Sequence, residues 1–232
     1  MTRPIAAIVF DLDGTLIDGY DAIHAALRFA LERLDRPVPG RERVREMVGH
    51  GLESLLEQAV GPALAPEGVR LFRSFYPQVA VDGSRLLPGV EATLDRLREE
   101  GYALSVASNK PPGFSRMILE SRGIAARFAA IVGPDEAHPP KPDPAMLFAL
   151  LAAMRAPAGA TVCVGDMEVD VEFARAGGCR VVVVPTGSRS APYLRAAGAD
   201  AMIADLSELP GALRGLERSA LTEPAAEETI DS

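Results

Sequence analysis

Six short, predominantly apolar runs, at 5–10, 103–107, 129–132, 161–164, 180–184 and 201–203, place the tightest constraint on what this chain can become. Each has the length of a strand, and none alternates apolar with polar residues, the pattern of strands buried on both faces. Helix-length amphipathic stretches lie between the later ones, at 90–100, 113–122, 144–154, 169–176 and 191–197, each ending near a glycine able to terminate it. Strands buried on both sides and separated by helices predict an α/β fold, a parallel sheet covered by helices on each face.

One interval departs from this rhythm. Residues 11–102, between the first strand and the second, carry only helical patterns, at roughly 21–35, 40–48, 52–60 and 66–80. An inserted helical domain accounts for them. Ile17-Asp18-Gly19 and Asp82-Gly83-Ser84 mark its edges with turn-forming residues suited to hinges. The expected partition is a core of residues 1–16 and 84–216, a helical domain of 17–83, and an acidic tail of 217–232. That tail holds Glu217, Glu223, Glu227, Glu228 and Asp231 against Arg218 alone, half of the net charge of -8, and has little apolar content. It is expected to be mobile.

Composition removes several function classes. With 48% hydrophobic and 24% charged residues, the 232-residue chain matches a soluble globular protein rather than a disordered one. Its apolar runs, such as 181–184, fall far short of the roughly 20 residues that cross a bilayer. The first residues show no basic segment, long apolar stretch and cleavage site, so a cytoplasmic location is expected. An acidic chain lacks the basic footprint on which nucleic-acid binding relies. Cys163 and Cys179 lie in apolar stretches without CxxC spacing, and read as small buried thiols in a reducing compartment.

Chemistry enters at the strand ends. The first strand runs into Asp11-Leu12-Asp13-Gly14-Thr15, with two carboxylates just past its carboxyl end, where open α/β sheets bind ligands. Acids at i and i+2 of an extended chain point the same way, and holding both ionised requires a cation or a proton between them. Taken alone, the pair also fits a solvated turn before a helix. Three further stretches each follow an expected strand and so reach the same sheet edge: Ser108-Asn109-Lys110, Lys141-Pro142-Asp143-Pro144, and Gly165-Asp166 with Asp170. A hydroxyl, an amide, a cation and more carboxylates converge there. This is the inventory of a phosphoryl-transfer site: acids to hold Mg²⁺, a nucleophile, and cationic or N–H groups for the phosphoryl oxygens.

Lysine usage sharpens this reading. Of 24 basic residues only Lys110 and Lys141 are lysines, and both stand in candidate site loops. A compact ammonium on a flexible stem suits a crowded carboxylate and phosphate cluster better than a planar guanidinium. Lys141 is assigned to the site on this ground, whereas Lys110 is equally compatible with capping a loop.

Together, Asp11-x-Asp13-Gly14-Thr15, Ser108-Asn109, Lys141 and Gly165-Asp166-x-x-x-Asp170 resemble the four motifs of the haloacid dehalogenase (HAD) superfamily, in order over residues 5–184. Each motif is short, but jointly they are specific. The helical insert is similar to the family's C1-type cap, and Asn109-Lys110-Pro111 with Gly49-His50-Gly51 resembles the phosphoglycolate phosphatase branch. The resemblance implies a Rossmann-like sheet with an inserted helical cap, and a Mg²⁺-dependent phosphomonoesterase acting on a small phosphorylated metabolite, with 2-phosphoglycolate the first candidate.

By the same resemblance, Asp11 is the nucleophile and takes the phosphoryl group as an aspartyl phosphate. Asp13 is the general acid and base, oriented by Thr15, with Gly14 permitting the turn after the strand. Mg²⁺ binds Asp11, the Asp13 carbonyl and Asp166, with Asp170 supporting that shell. Ser108 and the Asn109 N–H hold phosphate, and Lys141 balances charge between phosphate and Asp11. Cap loops of the family face the substrate, so His50 is a candidate contact for its other end. His24 reads as a surface or packing residue and His138 as part of a turn; Glu168, Asp135 and Asp143 read as solvated charges, Asp135 lying near the metal as an alternative.

Asp13 argues against a dehalogenase, which has no acid at that position, and a cap without lysine argues against a phosphonatase. A sugar phosphomutase, a nucleotidase, a pyrophosphatase and a sugar phosphatase remain open. A noncatalytic phosphate-binding module is the reading from a different class, opposed by the completeness of all four motifs. A monomer and a homodimer are both compatible with the sequence.

Overall fold

In the computed structural model, residues 5–134 and 139–222 are described, with side chains through residue 218. The sheet has six parallel strands: β1 (Ala7–Phe10), β4 (Ala103–Ala107), β5 (Ala130–Val132), β6 (Thr161–Gly165), β7 (Arg180–Val183) and β8 (Ala201–Met202). Their order is β5-β4-β1-β6-β7-β8. β1 is therefore central, in register with β4 on one side (Ile8 with Leu104) and β6 on the other (Ile8 with Val162). After β5 the chain returns across β1 to build the other half, which makes the end of β1 a topological switch point.

The predominantly apolar character of the strands has its cause in two cores, one on each face. Ile8, Phe10, Val162 and Val164 point to one face, where α5 (Val90–Glu99), α6 (Pro112–Ser121) and α10 (Leu209–Thr222) pack. Val9, Cys163, Val181 and Val183 point to the other, against α7 (Ala145–Met154), α8 (Glu168–Ala176) and α9 (Ala191–Ala196). Both cysteines are buried and free.

Between β1 and β4 stand four helices, α1 (Tyr20–Arg33), α2 (Arg41–Met47), α3 (Leu52–Val60) and α4 (Ala65–Val79). Their apolar stripes meet one another, with Leu27, Leu31, Leu56, Phe72 and Tyr76 almost wholly buried, and their core is continuous with the α5–α6–α10 face of the sheet. They connect to the sheet through an antiparallel pair, β2 (Ile17–Asp18) and β3 (Arg85–Leu86), with Ile17 opposite Leu86.

That pair coincides with the turn-rich edges read as hinges, but strands of two residues leave no periodicity in a sequence. α10 was likewise not anticipated, although Leu209, Leu213 and Leu216 form a helical stripe against the core. Residues 217–222, at the start of the expected tail, continue this helix, and 223–232 lie outside the described residues. Among the described residues, no helix is long and apolar enough to cross a membrane.

Candidate active site

Because the strands are parallel, the loops leaving their carboxyl ends share one edge of the sheet. β1 delivers Asp11 and Asp13, β4 delivers Ser108 to Lys110, the β5–α7 connection delivers Lys141, and β6 delivers Asp166 and Asp170. A fifth loop, after β7, adds Thr186 to Ser188.

The Lys141 ammonium lies 2.8 Å from Asp11 Oδ1 and 2.8 Å from Asp170 Oδ1. Asp170 stands in the first turn of α8, where its second oxygen accepts the Met167 N–H at 3.1 Å, the reaching-back half of a capping box. A helix start thus fixes the lysine's anchor. Burial pulls the Lys141 pKa down, but Asp11 and Asp170 outweigh it and hold the ammonium above its ordinary value. Burial lifts Asp170 to about 6 against the pull of Lys141.

Asp166 is wholly buried, with partners that carry no charge: the Thr15 hydroxyl at 3.4 Å and the Ser188 N–H at 3.3 Å. Burial, with Asp11 and Asp170 adding repulsion, holds its carboxyl well above the usual carboxylate range. Carboxylate oxygens of Asp11, Asp166 and Asp170 all lie within 4.8 Å of one another. Three hard oxygen donors, at least one lacking a cation, form a group able to bind a metal ion. Gly14 clears the space: at φ +86° it takes a conformation that favours glycine, and a Cβ there would overlap the Asp166 carboxylate.

The second acid of the first motif has a different partner. Asp13 Oδ2 lies 2.9 Å from Lys110 Nζ, which also donates to the Tyr76 hydroxyl at 2.7 Å. Asp13 Oδ1 is buried with no partner among the described residues. Burial raises the Asp13 pKa, opposed in part by Lys110. Lys110 is held above its ordinary value because Asp13 and Tyr76 outweigh the effect of its burial. Of the two roles open to Lys110, contact with the site is the one observed.

Asn109 braces the floor of the site. Its side-chain oxygen accepts the Lys141 N–H at 2.8 Å, and its Nδ2 donates to the carbonyls of Gly49, 2.9 Å away, and Lys141, 3.2 Å away. One amide thereby ties the lysine loop to the loop between α2 and α3. Ser108 is buried, and its hydroxyl accepts the Lys110 N–H at 3.2 Å.

The other expectations divide. Thr15 reaches Asp166 rather than Asp13, because the turn at Gly14 carries it beneath the β6 end. His50 is exposed: its neighbours Gly49 and Gly51 line the cavity while its own side chain does not. His24 packs as expected, Nε2 lying 3.2 Å from the Pro39 carbonyl. Two supposed solvated charges have work within the fold: Glu168 pairs with Arg189 at 2.8 Å, and Asp143 accepts the Ala145 N–H at 2.9 Å where α7 begins. Asp135 and His138 lie outside the described residues.

Three contributors went unrecognised in the sequence. Tyr76 anchors Lys110, Arg45 of α2 donates to the Thr186 and Gly187 carbonyls, both at 2.9 Å, and Ser188 reaches Asp166. The β7 loop had a signal, since it follows a strand toward the same edge. Tyr76 and Arg45 had none, because nothing local tells which cap-helix residues face the sheet.

These groups surround a cavity of about 660 Å³ including its open mouth. Its floor is polar: Asp11, Asp13, Ser108, Asn109, Lys110, Lys141 and Asp170. Its roof comes from the helical insert through Ile23, Val48, Leu52, Leu55, Phe72 and Tyr76. A floor that carries two lysines and lies beside an acid cluster able to bind a metal ion is set at a switch point of a parallel sheet, where open α/β sheets bind ligands.

Residues 8–184 match the family model described as haloacid dehalogenase-like hydrolase. The chain belongs to that family and stands among its phosphatases. A phosphoglycolate phosphatase of Yersinia pseudotuberculosis is 32% identical over 89% of this chain and 92% of its own. One from Pseudomonas syringae pv. syringae is 35% identical over 89% of this chain and 79% of its own. Among solved structures, a predicted phosphoglycolate phosphatase from Haemophilus somnus superposes with a TM-score of 0.85 at 27% identity, covering 91% of this chain and 99% of that one.

Proposed function

We propose that this protein is a Mg²⁺-dependent phosphomonoesterase of small soluble metabolites in the cytoplasm, with 2-phosphoglycolate, the substrate named for its relatives, as the first candidate. The observation that carries the reading is the pairing of Asp11 with Lys141 at 2.8 Å beside a second acid, Asp13, whose pKa burial raises. One carboxylate stands as a nucleophile next to a cation, while its neighbour is suited to carry a proton. That division of labour is what two-step phosphate hydrolysis requires.

An Asp11 oxygen attacks phosphorus, and the bond from phosphorus to the ester oxygen breaks. Asp13 gives its proton to the departing oxygen, so the leaving group departs as a neutral alcohol. A water then attacks the aspartyl phosphate and loses its proton to Asp13, and the Asp11 carboxylate is released with inorganic phosphate. Ser108 and the Asn109 N–H hold phosphoryl oxygens, and Lys141 offsets the charge gathered between them and Asp11. Asp11, Asp166 and the Asp13 carbonyl would hold Mg²⁺, with Thr15 and Asp170 fixing the positions of Asp166 and Lys141. When bound, the ion supplies charge neutralisation at the phosphoryl oxygens.

In this reading, residues 17–83 are a cap that moves about 17–19 and 82–85 and excludes water from the intermediate. Phosphate release from a panel of esters, with Mg²⁺ and with EDTA, tests the proposal. Metal-dependent release led by 2-phosphoglycolate is expected. Release led by another ester would move the substrate, and no release from any ester would overturn the reading.

A further inference from the structure

We infer that Lys110, held by Tyr76, is the residue that reads the leaving group, and that it selects phosphate esters bearing a carboxylate immediately beyond the ester carbon. This rests on the proposed function and deepens it. Among the described residues lining the cavity the only cations are the two lysines, and Lys141 is engaged at the nucleophile by Asp11 and Asp170. Lys110 stands at the other acid, and only 7% of its side chain is exposed.

Geometry then fixes what Lys110 meets. A general acid must lie within hydrogen-bond reach of the oxygen it protonates, about 2.6–3.2 Å. The Lys110 ammonium lies 2.9 Å from the Asp13 carboxylate. An anionic group one carbon beyond the leaving oxygen therefore falls within charge reach of that ammonium. The ammonium has three donors, of which the structure uses one for Asp13 and one for Tyr76. The Tyr76 hydroxyl is placed beside it, on a ring packed 4.7 Å from Phe114 and 5.1 Å from Phe72, so the anchor is rigid.

The walls decide what is refused. Leu52, Leu55, Phe72 and Phe114 offer no hydrogen bonds, so the hydroxyls of a sugar phosphate would be desolvated there without partners. A short acid, by contrast, brings its charge to the one place that has a counter-ion. Sites built to pair a charged or polar group discriminate strongly against an analogue lacking it.

The test compares 2-phosphoglycolate with ethyl phosphate, which has the same carbon count and no carboxylate, in the wild type, Lys110→Met, Lys110→Arg and Tyr76→Phe. In the wild type kcat/KM should favour 2-phosphoglycolate by about 100-fold or more. Lys110→Met should reduce that ratio below about 5, chiefly through KM for the carboxylate ester, with Lys110→Arg restoring part of it. A ratio unchanged in Lys110→Met, or a wild type that prefers ethyl phosphate, would overturn the inference. So would a parallel fall with both esters, which would confine Lys110 to supporting Asp13. If Lys110→Met does not fold, Tyr76→Phe decides the matter: the ratio should drop several-fold, and an unchanged ratio counts against the inference. Calorimetric binding of both esters to Asp11→Asn protein, with and without Lys110→Met, separates the two proposals. A binding preference that depends on Lys110 without any turnover in the wild type would remove the proposed activity and keep the inference.

Discussion

On the floor of the cavity, loops from the sheet edge gather Asp11, Asp13 and Asp170 with Lys110 and Lys141, whereas the roof presents apolar side chains and a single hydroxyl, that of Tyr76. The floor is held by charge: each lysine is clasped by a carboxylate, and Asp170 is pinned in turn by the start of α8. The roof is held by packing, through stripes of leucine and phenylalanine shared with one face of the sheet. Reactivity and stability are therefore sited in different parts of the chain. Substitutions should separate them.

The largest effect should come from Asp11→Asn. Removing the nucleophile should lower phosphate release at least about 10,000-fold while circular dichroism and the melting temperature stay near those of the wild type. Normal activity in that variant would end the covalent mechanism. Asp13→Ala should cost about 100- to 10,000-fold in kcat, the usual worth of a general acid and base, and its effect should shrink with p-nitrophenyl phosphate, whose leaving group needs little protonation. Equal losses with both esters would argue that Asp13 serves geometry instead.

A roof substitution should show the opposite pattern. Leu56 is fully buried in the cap and does not line the cavity. Leu56→Ala should lower unfolding free energy by about 2–5 kcal/mol and leave kcat within about two-fold at a temperature well below the midpoint. A loss of kcat matching that of the floor variants would erase the distinction.

The smallest expected effect is one of pH. The ordinary carboxyl value of Asp170 is 3.8, and in the fold it rises to about 6, with Asp13 and Asp166 shifted in the same direction. The folded chain thus binds these protons more tightly than the unfolded chain. For Asp170 the contribution to stability is full below pH 3.8 and is lost as pH climbs through about 6. Mg²⁺ needs the ionised form of Asp166, whose carboxyl is also held well above the usual range, so its stabilisation should grow as pH rises, to about 5 °C or more in melting temperature. A Mg²⁺ increment that stays constant from pH 4.5 to 7.5 would show that Asp166 does not bind the ion.

The sequence disclosed the floor far better than the roof. Parallel strands buried on both faces write themselves as predominantly apolar runs, and whatever follows them must reach one edge, so Asp11, Lys141 and Asp166 can be gathered from the sequence. Lys110 was half visible, flagged by the scarcity of lysine but not by any partner. Tyr76 and Arg45 were hidden, because a helix shows which residues are apolar but not which neighbour each will face. His50 shows the same limit in reverse: its glycine neighbours line the cavity while the imidazole does not. Contacts between the insert and the sheet depend on how the two layers are set against each other, and no local pattern encodes that.

One contact across this boundary has a thermodynamic consequence. The rings of Tyr76 on α4 and Phe114 on α6 meet 4.7 Å apart, beside a cavity wall that is apolar on both sides. Any motion that parts them transfers that surface to water, and hydration of apolar surface raises heat capacity. A ligand that holds the two layers together should then bind with a negative heat-capacity change, so that its measured enthalpy becomes more exothermic with each degree of warming.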